Sequence, residues 1–296
     1  MTSPACKSDI PAKQAFTLIE LLVVISIIAL LIGILLPVLG SARDAARRSV
    51  TMSDMRQAML AHTLYQQDYD GHVPWGYAPA SIDGIAVTVN LERSGHTFSI
   101  PVAERFPWRL ERYIDNVWQV LYSQQEVPEL PQRGQPDAVA FGPAYNISLY
   151  PSLALNTVYV GGHDGAFQGF VGGSDSPNTG SYIVFYDKDV PRPSEQIVFT
   201  EVLGRIGDTP FNSNNPEAGL HWSTPPRARG LRWVPDGRTI KSALPGNLQG
   251  IPVSRTGAGT PTGFFDGHAE ALDPDTLNDM RLWSIAASDA DDDPIP

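Results

Sequence analysis

Cysteine is all but missing from this chain: Cys6 is the only one among 296 residues. No intramolecular disulfide can form, and no thiolate cluster for zinc or an iron–sulfur centre exists. Cys6 stands before the long apolar stretch, whereas a lipid-anchored cysteine follows one, so it reads as incidental. Charge is also scarce, at 18% of residues against a usual ~25%. Residues 71–296 hold 15 Lys and Arg against 26 Asp and Glu, so this stretch alone carries the full net charge of −11. Phosphate backbones need a basic patch or stripe, and DNA and RNA are excluded as partners.

Catalytic signatures are missing as well. The sequence has no HExxH, no G-x-S-x-G elbow, no GxxxxGK[ST] loop and no GxGxxG after a strand-like run, so no enzyme and no metal site is expected. Gly161–Gly173, with Asp164 and Asp175, offers oxygen ligands of the kind calcium takes. It lacks a dense D-x-D-x-D series, and it reads as a flexible loop with no cofactor. Glycine and proline, by contrast, are plentiful at 26 each. That marks a turn-rich chain, with neither the Gly-X-Y period of collagen nor the composition of a coiled coil.

The long hydrophobic run is what the sequence does have. Residues 16–40 read FTLIELLVVISIIALLIGILLPVLG, in which only Thr17, Glu20 and Ser26 interrupt the apolar surface. As a helix these residues would extend roughly 37 Å, enough to cross a hydrocarbon core of ~30 Å with some tilt. A buried helix of a soluble domain would show a polar face at a period of 3.6, which this run does not. Pro37 near its end and the basic cluster Arg43, Arg47 and Arg48 just beyond it make a poor site for conventional signal removal. Glu20 is the one ionisable group in the span, and an acidic side chain at the centre of a membrane helix costs ~2.5 to 3.5 kcal/mol. Such a carboxylate calls for a partner.

Pro37 lacks a backbone donor and is expected to kink the helix. Beyond it, Met52, Met55 and Met59 recur at spacings of three and four, the stripe of an amphipathic helix that packs on a core. One long helix is therefore expected from Phe16 to Tyr69, ending at Asp70-Gly71. After it the pattern changes to short β-type runs, Ile85–Leu91, Val117–Tyr122, Tyr182–Tyr186 and Gln196–Val202, divided by Gly, Pro, Asn and Asp. Helical turns are expected at Pro107–Ile114 and from Pro274 to Ala287, the latter capped by Asp273. Asp266-Gly267 suits a two-residue type I′ hairpin, with Asp266 and His268 bonding the turn backbone. The Asp289–Asp293 run reads as a solvated tail.

The stretch AFTLIELLVVISIIALL resembles the N-terminal signal of type IV pilins and type II secretion pseudopilins. The resemblance implies cleavage by a prepilin peptidase between Ala15 and Phe16, then N-methylation of Phe16. Ala15 stands where family members usually have Gly, and a small residue fits the narrow peptidase subsite. It further implies that Glu20 meets the new N-terminal amine of a neighbouring subunit, so that other pilin or pseudopilin subunits are partners through the N-terminal helix. GFFDGHAEAL is similar to the terminal F-x-DGH hairpin of pilin-like proteins with large extracytoplasmic domains, although Thr256 stands where that group often has His.

The expected fold is α+β, a long membrane-spanning helix packed on an antiparallel sheet. The expected organisation is a leader at 1–15, an assembly half of the helix at 16–40, an amphipathic half at 41–70, a β-rich extracytoplasmic domain at 71–288 and an acidic tail at 289–296. The implied location is a bacterial inner membrane, with the N-terminus cytoplasmic and the body outside. The competing expectation is an uncleaved, membrane-anchored domain that binds a glycan through exposed tryptophans and tyrosines, with Trp75, Trp108, Trp118, Trp222, Trp233 and Trp283 as raw material.

Overall fold

The computed structural model describes residues 18–82, 84–123, 125, 130–162, 183–206, 209–210, 218–228, 231–236, 239–242, 250–255, 257 and 259–292. The expected cleavage position at Ala15 and Phe16 lies outside the described residues. So do Asp164, Asp175, Tyr182, Thr256 and Asp293.

The chain divides into two compact units, Met1–Ala46 and Arg47–Pro296. Helix α1 (Leu18–Asp68) is one element of 51 residues, and Pro37 lies inside it. Of the described helices it is the one long and apolar enough to cross a membrane. Its large apolar side chains from Leu18 to Leu39 are exposed, at 45–80%. In the second unit the same helix buries one face, with Met55, Ala58, Met59, Ala61 and His62 inaccessible to solvent. The helix stops where the backbone turns left-handed at Asp70 (φ 51°) and Gly71 (φ 84°), and the Gly71 N–H donates back to the Gln66 carbonyl at 2.8 Å.

The body is β-rich and antiparallel, as expected. After α1 come β1 (Ser81–Ile82) paired with β2 (Ile85–Ala86), and β3 (Val89–Leu91) paired with β4 (His96–Phe98). A 3₁₀ segment, Phe106–Tyr113, precedes α2 (Val117–Leu121) and α3 (Asp137–Leu149). Then follow β5 (Leu153–Leu155), β6 (Ile197–Leu203), β7 (Arg205–Ile206), β8 (Thr209–Pro210), β9 (Arg227–Ala228), β10 (Leu231–Asp236), β11 (Thr239–Ser242), β12 (Ile251–Pro252), β13 (Thr260–Phe264) and β14 (Ala269–Leu272), with α4 (Pro274–Leu277) last. Strand β6 organises the main sheet by pairing with β5, β12 and β13, and β13 pairs in turn with β14. Every side chain from Ile197 to Val202 is buried, which makes β6 a strand covered on both faces.

Several expectations are corrected. Val117–Tyr122 does not form a strand: Val117–Leu121 is a helical turn, closed by the Tyr122 N–H donating to the Trp118 carbonyl at 2.8 Å. Trp118, Val120, Leu121 and Tyr122 are buried while Gln119 is exposed, and so short a run shows no period that separates helix from strand. Ile85–Leu91 breaks into two short strands, and of Tyr182–Tyr186 the described part makes isolated bridges, Val184 to Val160 and Tyr186 to His72. Helix α3 went unanticipated because Gly142 and Pro143 interrupt its pattern, with Pro143 inside the helix. At the C-terminus the expectation holds. The Asp273 carboxylate accepts from the Thr276 N–H at 2.9 Å and caps α4.

Candidate assembly segment and the terminal hairpin

Glu20 lies in the first turn of α1, exposed, among side chains that are otherwise almost wholly apolar. Where the span does hold hydroxyls, the helix absorbs them. Ser26 Oγ donates to the Leu22 carbonyl at 2.8 Å, and Ser41 Oγ, just beyond, to the Val38 carbonyl at 3.0 Å. These local bonds leave the surface of the segment apolar on all sides. Chemically the segment can bury itself only in lipid or against other apolar helices, with one carboxylate near its start.

The second place the sequence pointed to is the terminal hairpin, and the structure joins it to the methionine stripe. Strand β13 packs directly on α1 at Gly263. A Cβ built there would lie 2.7 Å from Met59 Cγ and Sδ and 3.0 Å from Met55 Sδ. Glycine is what lets the strand approach the helix this closely. The next two residues point to opposite cores: Phe264 packs with Ile197, Leu277 and Trp283, while Phe265 packs with the cluster of Met55, Met59 and Phe199.

The turn itself differs from the expected two-residue form. The Gly267 N–H donates to the Phe264 carbonyl at 2.8 Å and the Phe264 N–H to the His268 carbonyl at 2.9 Å. Only Gly267, at φ 93°, is left-handed, and Asp266 is not. This is a three-residue loop with a glycine bulge, since a type I′ turn needs both central residues left-handed. Asp266 Oδ1 accepts from the His268 backbone N–H at 3.0 Å and faces His268 Nδ1 at 2.5 Å. Partial burial pushes the Asp266 carboxyl up, but the His268 contacts outweigh it and hold it below its ordinary value. The His268 ring lies flat on Phe264, centroids 4.3 Å apart. Asp266, Gly267 and His268 thus fix the turn.

Sequence reasoning passed over His62, one helical turn beyond Met59. Its ring is fully buried between Phe199 and Phe265, with centroids at 6.0 and 5.4 Å, and neither ring nitrogen has a hydrogen-bond partner. Burial pushes its pKa down to about 3, so it is a neutral core residue. The stripe 55, 59, 62 could have revealed it. Gly263 carried no such signal, because a small residue in a strand does not say what approaches it. Five of the six tryptophans, Trp108, Trp118, Trp222, Trp233 and Trp283, are buried. They are core residues, not an exposed ligand platform.

Comparison with known proteins bears on the first of the two places. The family described as "Prokaryotic N-terminal methylation motif" matches residues 10–36, which contain Glu20 and most of the apolar run. The type IV wide pilus major component PilA4 of Thermus thermophilus is 41% identical over 59 residues, 20% of this chain and 45% of that protein. Over part of its length the chain is similar to type IV pilins. It spans less than half the length of the curated relative it matches, and no solved structure matches it. The methylation motif takes in the first part of α1 and ends at residue 36.

Proposed function

We propose that this protein is a structural subunit of an envelope filament of the type II secretion or type IV pilus class, as a pseudopilin or minor pilin. A prepilin peptidase hydrolyses the Ala15–Phe16 peptide bond, and the amine released on Phe16 is methylated. The helices from Phe16 to Gly40 then leave the inner membrane and bundle with those of other subunits, and the acidic body lies outside. In the bundle the Glu20 carboxylate meets the Phe16 ammonium of a neighbour and sets the register. This role is packing; it calls for no catalytic residue and no cofactor, calcium included.

The observation that carries the reading is the first half of α1: a helix apolar on every side, with a single carboxylate in its first turn, inside the residues that match the methylation motif. Oil-like side chains around the whole circumference suit first lipid and then a helical bundle. In that medium an ion pair between Glu20 and an amine replaces the water each has lost.

Intact mass with N-terminal sequencing of the protein from native membranes tests it. A chain that begins at N-methylated Phe16 is the expected result. A chain that still carries Met1 or Thr2 would overturn processing and leave Phe16–Gly40 as a plain anchor.

A further inference from the structure

A cleft of about 660 Å³ opens in the body beside the end of α1, a volume within the ~300 to 1,000 Å³ usual for small-molecule sites. Aromatic rings supply its walls: Tyr65 and Tyr69 from α1, Trp75 from the segment after it, and Trp108 beneath. Tyr65 and Tyr69 stack at 4.3 Å between centroids, Tyr69 is 46% exposed, and Trp75 is half-buried. Trp75 is thus the one tryptophan not committed to the core.

The polar groups of the cleft are unusual for this chain. Arg109 and Arg112 both face it, and Glu92 stands at its rim. Arg112 Nε lies 3.8 Å from Glu92 Oε1. Arg109 donates to the backbone carbonyls of Arg105 at 2.9 Å and Ala103 at 2.6 Å, and among the described residues no carboxylate lies within ion-pair distance of it. Residues 71–296 carry a net charge of −11, so a guanidinium left without a counter-charge in a cleft is conspicuous. It is held in place by the carbonyls, and the rings beside it do not neutralise it.

These features narrow the ligand. A hydrocarbon would strip water from Arg109, Arg112 and Glu92 and put nothing in its place, while a small inorganic anion has no use for aromatic walls. A pyranose offers an apolar C–H face to lie on a ring and hydroxyls around its edge for polar side chains, and a carboxylate on it fits the guanidinium fork. We propose that this cleft is a saccharide-binding site that takes an acidic pyranose unit, with its C–H face on Tyr69 and Trp75 and its carboxylate toward Arg109 and Arg112. The site lies wholly within residues 65–112, so its test leaves the filament reading untouched.

The test is calorimetric titration of the full-length chain in detergent micelles with trigalacturonate, triglucuronate and trimannuronate, against neutral maltotriose. Saturable binding of at least one acidic trimer, roughly tenfold tighter than maltotriose, is expected. Tyr69→Ala should weaken it roughly tenfold through loss of the stacking face, and Arg112→Gln should erase the preference for acid. Circular dichroism verifies that each variant is folded, and Trp75→Phe serves as a second ring variant with a smaller loss. Absence of saturable binding with all three acidic trimers overturns the site. Equal binding of maltotriose overturns the acidic assignment, and undiminished binding by folded Tyr69→Ala overturns the location.

Discussion

Between Leu18 and Leu39 the large apolar side chains of α1 are exposed, whereas between Thr51 and Gln66 nine side chains of the same helix are buried in the body. The second stretch is the less apolar of the two, holding Asp54, His62 and Gln66 among its buried residues. Hydrophobicity by itself therefore does not say what this chain covers with its own atoms. Periodicity does: a segment with one apolar face can be sealed by one domain, while a segment apolar on all sides can be sealed only by lipid or by several other helices.

The contrast can be broken at both ends, and the largest effect is expected at Glu20. Glu20→Ala removes one member of the proposed buried charge pair, a loss of ~3 to 5 kcal/mol, and should lower incorporation into filaments by more than about a hundredfold. Immunoblotting of filament and membrane fractions measures it, and the thermal unfolding of the body should not change. Normal incorporation would remove Glu20 from the assembly role.

His62 tests the packed half. Its folded pKa of about 3 lies below the ordinary 6.5, so the unfolded chain binds the extra proton. Its contribution is fully present above pH 6.5, declines as pH falls through the window down to about 3, and is then lost, on the order of 5 kcal/mol in all. His62→Phe should flatten that part of the stability–pH curve from urea unfolding. A curve of unchanged slope would mean that His62 finds water or a partner in solution.

Gly263→Ala should destabilise the body by ~1 to 3 kcal/mol, because the added methyl meets Met59 and Met55. Combining it with Met59→Ala should return part of that loss, and the double-mutant cycle reads the coupling directly. Strict additivity would deny the close approach of β13 to α1.

A milder test sits on the hairpin of β3 and β4. His96 Nδ1 faces the Asp137 carboxylate at 2.8 Å and Nε2 the Gln132 carbonyl at 3.2 Å. Both partners accept, so the imidazolium satisfies both, and these bonds raise the pKa of His96 above its ordinary value. Its contribution is whole below pH 6.5 and is lost as pH rises through the folded value, opposite in sign to His62. His96→Gln should remove that alkaline loss. The smallest effect belongs to Leu60, next to Met59 but 58% exposed: Leu60→Gln should change unfolding by less than about 0.5 kcal/mol, against several for Met59→Ala.

Much of α1 was legible in the residues. The apolar run announced a helix for a membrane, Met55 and Met59 announced its packed face, and Asp70-Gly71 announced its end. Asp273 was legible for the same reason, since a cap involves only neighbours in sequence. Val117–Leu121 and α3 were not legible. One is too short to show a period, the other contains Gly142 and Pro143, and in both cases surrounding contacts override weak local preference. The turn at Asp266-Gly267 sits between these cases. The dipeptide located it, but the pairing of β13 with β14 chose a three-residue loop.

By itself the sequence determined that this chain carries a segment for lipid or for a helical bundle, that an antiparallel body follows it, and that Glu20 is the one charge within the apolar segment. Those properties are local, set by composition and period along a single stretch. Only the tertiary structure decided that Gly263 lies on Met59, that His62 is neutral between Phe199 and Phe265, and that Tyr69, Trp75 and Arg109 share a cleft. Each of these joins residues far apart in the chain or hidden from solvent, and their chemistry comes from burial and proximity, which no residue possesses until the chain has packed.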